Sequence, residues 1–173
     1  MSVLRPITDA EYDAWLEIVV PEYAEDKVAS GQWPAETALE LSRKEYAELL
    51  PRGKDTEDNH LFTVLNLHGG PVGTLWFVVK DRANRRIAYV YDIYVTPEHR
   101  RCGHAYRAFQ ALEQEVARLQ LAGIALHVFG HNQAAQGLYV KLGYVVTNIN
   151  MFKPVACAGA PPLAQVERQR QAP

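Results

Sequence analysis

Cysteine is scarce: Cys102 and Cys157 are the only two in the chain, too few for the cross-links that hold small secreted scaffolds together. No charged-then-apolar leader precedes Val3, so a reducing cytoplasm is the expected compartment. Nor does any uninterrupted apolar run approach the roughly 18 residues that a membrane span needs, which predicts a soluble protein. An excess of one charge is missing too. Eighteen basic against twenty acidic residues leave a net charge of -2, without the basic field that nucleic acid or an anionic membrane surface requires. The expected partner is small. Around Gly103 there is neither a G-x-G-x-x-G pattern nor a P-loop lysine, which argues against a nucleotide-binding α/β protein.

What is present suffices for one core. At 173 residues and 48% hydrophobic composition, the chain can bury a single sizeable interior but hardly two. After a short extended opener, Thr8 or Asp9 can cap a helix in which Tyr12, Trp15, Leu16, Val19, Val20 and Tyr23 recur at helical steps. Pro21 lies inside that pattern and predicts a kink or two abutting helices. A second helical stripe runs from Pro34 to about Leu50 and ends at "PRG". "HLFTVLNLHGGPVGTLWFVVK" reads as a hairpin. "IAYVYDIYV" follows as a third strand, with Ile87, Tyr89, Tyr91, Ile93 and Val95 on one face and Asp92 on the other by strict alternation.

Helical periodicity resumes at Ala105, Phe109, Leu112, Val116 and Leu119, and Gly123 closes that helix before the strand "IALHVFG". A strand, helix, strand unit of this kind joins parallel strands through a right-handed crossover. Asn132 can cap a last short helix to about Leu142, and "GYVVTNINMFK" predicts one or two closing strands. Domain boundaries follow: residues 1–153 form the domain, and 154–173, rich in alanine, proline and glutamine, form a loose tail.

The turn "VTPEHRRCGHAYRAF" carries the chemistry. It lies at the carboxyl end of the third strand, where a helix begins and several backbone N–H groups lack an intrahelical partner. Gly103 keeps side chains away from the backbone, Ala105 keeps the first turn slim, and Arg100 and Arg101 add charge suited to phosphate oxygens. A solvated loop would also account for this stretch taken alone.

Two spacings add context: Arg100-x-x-Gly103-x-Ala105, and Asn132-x-x-Ala135-x-x-Leu138-Tyr139-x-x-x-Gly143-Tyr144. Together they resemble the GCN5-related N-acetyltransferase (GNAT) family over residues 87 to about 153, and "YAEDKVASGQW" and "LLPRG" resemble the front end of a bacterial subgroup. The resemblance implies an α/β (α+β) fold with a mixed, mostly antiparallel central sheet, a splayed parallel strand pair and flanking helices. It implies acetyl-CoA as cosubstrate, its diphosphate on the N–H groups of Arg101, Cys102, Gly103, His104 and Ala105, with Arg100 at the motif's Gln/Arg position. The pantetheine arm would lie beside Ile93, Tyr94 and Val95, with Asn132 nearby and Tyr139 close to the sulfur. Ala105 stands where many members have glycine, a common alternative.

An amine of pKa near 10.4 must lose a proton before attacking a thioester, so a base is needed. His127, where some members carry a glutamate base, and Asp92, set in an apolar strand, are the two candidates, with His127 slightly preferred. Structural roles for both, and a water relay, stay open alternatives. A backbone N–H near Tyr94 or Val95 is implied as the oxyanion donor, and Tyr139 as the proton donor to the thiolate. Tyr23, Glu25, Trp33 and His60 are acceptor-pocket candidates. His127 and His131 lack a third ligand nearby, so no metal is expected. The acceptor would be a small-molecule or peptide amine, and a homodimer is left open. The alternative function is a non-catalytic acyl-CoA-binding sensor or regulatory module.

Overall fold

The structure is a computed structural model that describes residues 3–153 and Val155; the tail expected over 154–173 lies, apart from Val155, outside the described residues. Strand β1 (Leu4–Pro6) is followed by helices α1 (Asp9–Ala29) and α2 (Ala38–Leu49), then by strands β2 (Asn59–Leu65), β3 (Pro71–Arg82) and β4 (Arg85–Val95). Helix α3 (His104–Arg118), strand β5 (Ile124–Leu126) and helix α4 (Gln133–Lys141) complete the order. The five strands form one sheet in sequence order. All neighbouring pairs are antiparallel except β4–β5, which is parallel. No helix among the described residues is long and apolar enough to cross a membrane.

The start of α1 is set by a reciprocal cap. Thr8 accepts the Glu11 N–H through its hydroxyl, and Glu11 accepts the Thr8 N–H in return. Arg5 at 2.6 Å and Thr63 at 2.9 Å also donate to Glu11, tying the helix start to β1 and β2. Burial alone would push the Glu11 carboxyl up, but these hydrogen bonds hold it at about 2. Of the two expectations at Pro21, a kink or two abutting helices, the second does not hold: α1 runs unbroken through Pro21. Its neighbour is braced from outside, because the buried Ser42 hydroxyl of α2 donates to the Val20 carbonyl at 2.7 Å.

Two apolar layers sandwich the sheet. On one face Trp15, Val19, Val20 and Tyr46 of α1 and α2 pack against Leu61 and Trp76. On the other, Ala108, Phe109, Leu112 and Val116 of α3 and Tyr139 of α4 cover Val64, Leu75, Phe77, Ala88 and Val90.

Strand β4 departs from strict alternation. Val90 pairs with Phe77 and Asp92 with Trp76, leaving Tyr91 as the extra residue of a β-bulge. Tyr91 and Asp92 therefore both face α1, and Ile93 turns to the α3 side, correcting the expected grouping of Ile93 with Tyr91. Pairing with β5 ends at Val90, the residue before the bulge. The strand expected over 124–130 is correspondingly confined to Ile124–Leu126. Residues 144–153 take no strand, although their composition favours one: a strand requires a hydrogen-bonded neighbour, and after Tyr144 the chain meets none among the described residues.

Candidate active site

Beyond Val90, β4 remains paired with β3 on one edge and meets no strand on the other among the described residues, so it forms one wall of a notch past the end of β5 at Leu126. Thr96 N–H donates to the Val72 carbonyl. Antiparallel alternation then turns the backbone groups of Val95 and Ile93 to the open edge, and those of Tyr94 toward β3. In keeping with this, the Val95 carbonyl is free to accept Arg100 Nε at 2.9 Å. Gly73 makes the close β3–β4 approach possible, since a Cβ there would collide with the Tyr94 carbonyl oxygen.

At the carboxyl end of β4 the chain makes a short 3-10 turn (Pro97–His99), then reverses through Arg101 and Gly103, whose φ angles are 60° and 77°. Gly103 adopts this left-handed conformation without the steric cost a side chain brings. Among the described residues, none of the backbone N–H groups from Arg101 to Tyr106 donates to a protein acceptor, and Arg107 N–H to the Gly103 carbonyl is the first bond of α3. The result is a concentration of free donors at the positive end of a 15-residue helix.

The guanidinium beside that turn belongs to Arg107, a residue the sequence reading passed over. It donates to the Cys102 carbonyl at 3.1 Å and lies 3.0 Å from His104 Nδ1. Arginine can only donate, so Nδ1 accepts and His104 carries its proton on Nε2. Burial, helped by Arg107 and His99, pushes the His104 pKa down. The position of Arg107 on the first turn of α3, four residues after Gly103, was the signal that could have found it. Arg100 instead folds back over the Tyr94 ring, 5.8 Å away, toward Glu22. Cys102 is exposed, with its thiol against the Arg100 carbonyl.

Asp92 lies on the α1 face and accepts the Trp15 indole N–H at 3.0 Å. Trp15, expected to be a packing residue, thus also orients a carboxylate. Burial pushes the Asp92 carboxyl up to about 6 despite the Trp15 bond, with the Glu22 charge assisting. The residue as a whole is half-buried, but the carboxyl group itself is desolvated. Tyr139 is buried beneath the Phe109 and Tyr144 rings, at 5.4 and 5.7 Å. Burial, with a contribution from the Asp92 charge, raises its phenol to about 12. Asn132 uses its side-chain oxygen to cap α4 through the Ala135 N–H.

His127 lies one residue beyond β5, exposed, with its ring edge-on to Phe129. Phe129 stacks on His131, which in turn pairs with Asp26 of α1 at 2.8 Å. Tyr23 and Trp33 meet edge-to-face under the Lys27 ammonium, and Tyr23 donates to Glu45. Glu25 is exposed on the same helix. His60 does not join them: it stacks on Phe77 at 4.6 Å, on the α3 face of the sheet.

A mostly antiparallel sheet with one short parallel pair and a donor-rich turn beyond it defines a class. The acetyltransferase (GNAT) family pattern matches residues 13–144, and the chain belongs to that family. Among its relatives is the uncharacterized N-acetyltransferase YycN of Bacillus subtilis (strain 168), 34% identical over 151 residues, covering 87% of this chain and 97% of the relative. YdgE of the same organism, also named an uncharacterized N-acetyltransferase, is 32% identical over 150 residues, covering 87% and 96%. The crystal structure of Bacillus subtilis YycN superposes with a TM-score of 0.84 at 33% identity, covering 88% of this chain and 98% of that one. A GCN5-related N-acetyltransferase from Ralstonia eutropha JMP134 shares the fold, with a TM-score of 0.63, 23% identity and coverage of 88% and 97%.

Proposed function

We propose that this acetyltransferase moves an acetyl group from acetyl-CoA to a primary amine on a small molecule or peptide, by direct attack within a ternary complex in the cytoplasm. The observation that carries this reading is the run of free N–H groups from Arg101 to Tyr106 opening beside the free edge of β4. Donors without other partners, a left-handed glycine and the Arg107 guanidinium suit a diphosphate. Acetyl-CoA supplies the activated acyl thioester. Ile93 and Val95 offer backbone groups along the open edge for an extended arm, and the Val95 N–H is the donor suited to a carbonyl oxygen gaining negative charge.

Asp92 is the preferred base on geometry. A carboxyl near 6 is ionised at neutral pH and more basic than an ordinary aspartate, and Trp15 fixes one of its oxygens. It takes a proton from the ammonium of the incoming amine. A phenol near 12 keeps its proton at neutral pH, so Tyr139 donates to the departing sulfur. Tyr23, Trp33 and Glu25, on the helical cover of the same sheet face, form the acceptor side.

Titration calorimetry with CoA, paired with a CoA-release assay over a panel of primary amines, tests the proposal. Binding together with turnover that falls in Asp92→Asn supports it. Binding without turnover across the panel would favour a sensor, and absence of binding would remove the cosubstrate assignment.

A further inference from the structure

Six aromatic rings form an unbroken row from the loop after α1 to strand β4. Trp33 meets Tyr23, Tyr23 meets Tyr46, Tyr46 meets Trp76, Trp76 stacks on Tyr91 and Tyr91 meets Tyr89, with centroids 4.6 to 5.9 Å apart. Each end of the row holds an ammonium. Lys27 lies 5.2 and 5.1 Å from the Tyr23 and Trp33 rings, and the exposed Lys80 lies 4.5 Å from both Tyr89 and Tyr91, so these ring faces already act as cation seats. Neither lysine pairs with a carboxylate among the described residues: Lys27 donates to Gln32 and Lys80 to the Tyr91 hydroxyl. Two carboxylates on this side go without a cation. Asp92 makes no ion pair among the described residues, and neither does Glu45, which is half-buried and accepts the Tyr23 hydroxyl at 3.0 Å. Glu22 and Asp26 are met by Arg100 and His131.

Tyr46 lies within electrostatic reach of both unmet carboxylates. It is only 9% exposed, and its hydroxyl has no hydrogen-bond partner among the described residues. Unlike the sealed Tyr144 hydroxyl, it opens to solvent. Burial, then Asp92, Tyr23, Glu45 and Glu22, push the Tyr46 phenol up, so the hydroxyl faces these groups and not the outer groove between α1 and α2, where Glu17 and Arg43 stand. An unpartnered phenol this deeply buried calls for a ligand donor or acceptor. An ammonium, which only donates, suits a phenol oxygen and a carboxylate at once.

We propose that the acceptor is an aliphatic diamine, whose reacting nitrogen meets Asp92 while its second nitrogen, protonated throughout, is held by Glu45, the Tyr46 hydroxyl and the Tyr23 ring. This rests on the acetyl transfer proposed above and narrows its acceptor. The reacting ammonium gives one proton to Asp92, its nitrogen bonds to the acetyl carbon, and the carbon–sulfur bond breaks. The thiolate takes the Tyr139 proton, and the second proton shed by the nitrogen restores Tyr139. The products are a monoacetylated diamine that keeps one ammonium, the CoA thiol, and the proton left on Asp92. A monoamine would leave Glu45 and Tyr46 unmet. An amino acid would set its carboxylate against Glu45 and Glu22, a like-charge contact.

The test compares α,ω-diamines from diaminopropane to diaminohexane with n-alkylamines and ω-amino acids of the same lengths, on the full chain. Binding is read with CoA present from indole fluorescence, since Trp33 and Trp76 belong to the ring row, and turnover is read from CoA release in the presence of acetyl-CoA. At least one diamine should bind, and should react with a kcat/KM about tenfold or more above that of its monoamine, with the amino acid slowest. Glu45→Gln should lower diamine affinity and kcat/KM by about tenfold and so erase the preference, and Tyr46→Phe should raise KM for the diamine more than it lowers kcat. Equal rates for diamines and monoamines, a preference that survives in Glu45→Gln, or absence of diamine binding would overturn the proposal while leaving acetyl transfer to amines in place. A diamine that binds about tenfold above its monoamine yet is never acetylated would support the seat and remove the transfer. The comparison among amines is read on the unmodified protein, so it decides the matter even if a variant fails to fold.

Discussion

Replacing Asp92 by asparagine separates what this carboxylate does to stability from what it does in the notch. Its carboxyl is displaced from an ordinary 3.8 to about 6, chiefly by burial. Between those values the folded chain holds a proton that the unfolded chain has released. Stability therefore declines as pH rises through this window, and the loss is complete above the folded value. At about 1.4 kcal/mol per pH unit the displacement corresponds to no more than ~3 kcal/mol. Relaxation of the surroundings and water penetration on ionisation reduce this to roughly 1–2 kcal/mol. Asparagine keeps an oxygen to accept the Trp15 indole N–H and cannot ionise. Urea denaturation of Asp92→Asn at about pH 7.5 should show ~1–2 kcal/mol more stability than the parent, and the gain should vanish near pH 4, where both side chains are neutral. Acid destabilisation through Glu11 is common to both proteins and cancels. Turnover in the CoA-release assay should fall by about 10²-fold or more. A variant no more stable than the parent at the higher pH, or a difference constant across pH, would refute the reasoning.

Tyr139→Phe should lower kcat by about 10²-fold while changing CoA affinity far less; calorimetry and steady-state rates read the two separately, and equal rates would remove the acid role. The pH dependence of kcat/KM should rise through an acid limb near 6, from the Asp92 value, and His127→Ala should leave that limb in place; its disappearance would transfer the base role to His127. Gly73→Ala should destabilise the fold by ~1–3 kcal/mol, because the new methyl group meets the Tyr94 backbone, as thermal denaturation would register. Glu11→Gln should remove stability that the parent holds at neutral pH and loses as pH falls from its ordinary 4.5 toward about 2; denaturation curves of parent and variant should therefore converge in acid.

Much of the framework was legible in local pattern. Thr8 or Asp9 as a cap announced the start of α1, the glycine and proline turn announced the β2–β3 hairpin, and the spacing of Phe109, Leu112 and Val116 identified the buried face of α3. Features that depend on distant partners were not. The bulge at Tyr91 arises from pairing with Trp76 and Phe77, which alternation within one strand cannot reveal. The Trp15 bond to Asp92 spans 77 positions, and Arg107 looked like any polar residue on a helix. His60 was grouped with Tyr23 because the family's first helices and their loop cover the acceptor side, whereas the parity of β2 places it on the opposite face. The strand character of 144–153 was visible in composition, but composition does not supply the neighbouring edge that a strand needs.

The bulge also reaches beyond the orientation of Asp92. Were Tyr91 deleted, Val90 and Asp92 would keep their partners across the hairpin and their sides of the sheet, but the ribbon would lose its bend and could continue alongside β5. The cleft would then zip shut. One codon thus separates a sheet with a notch from a sheet sealed along its length.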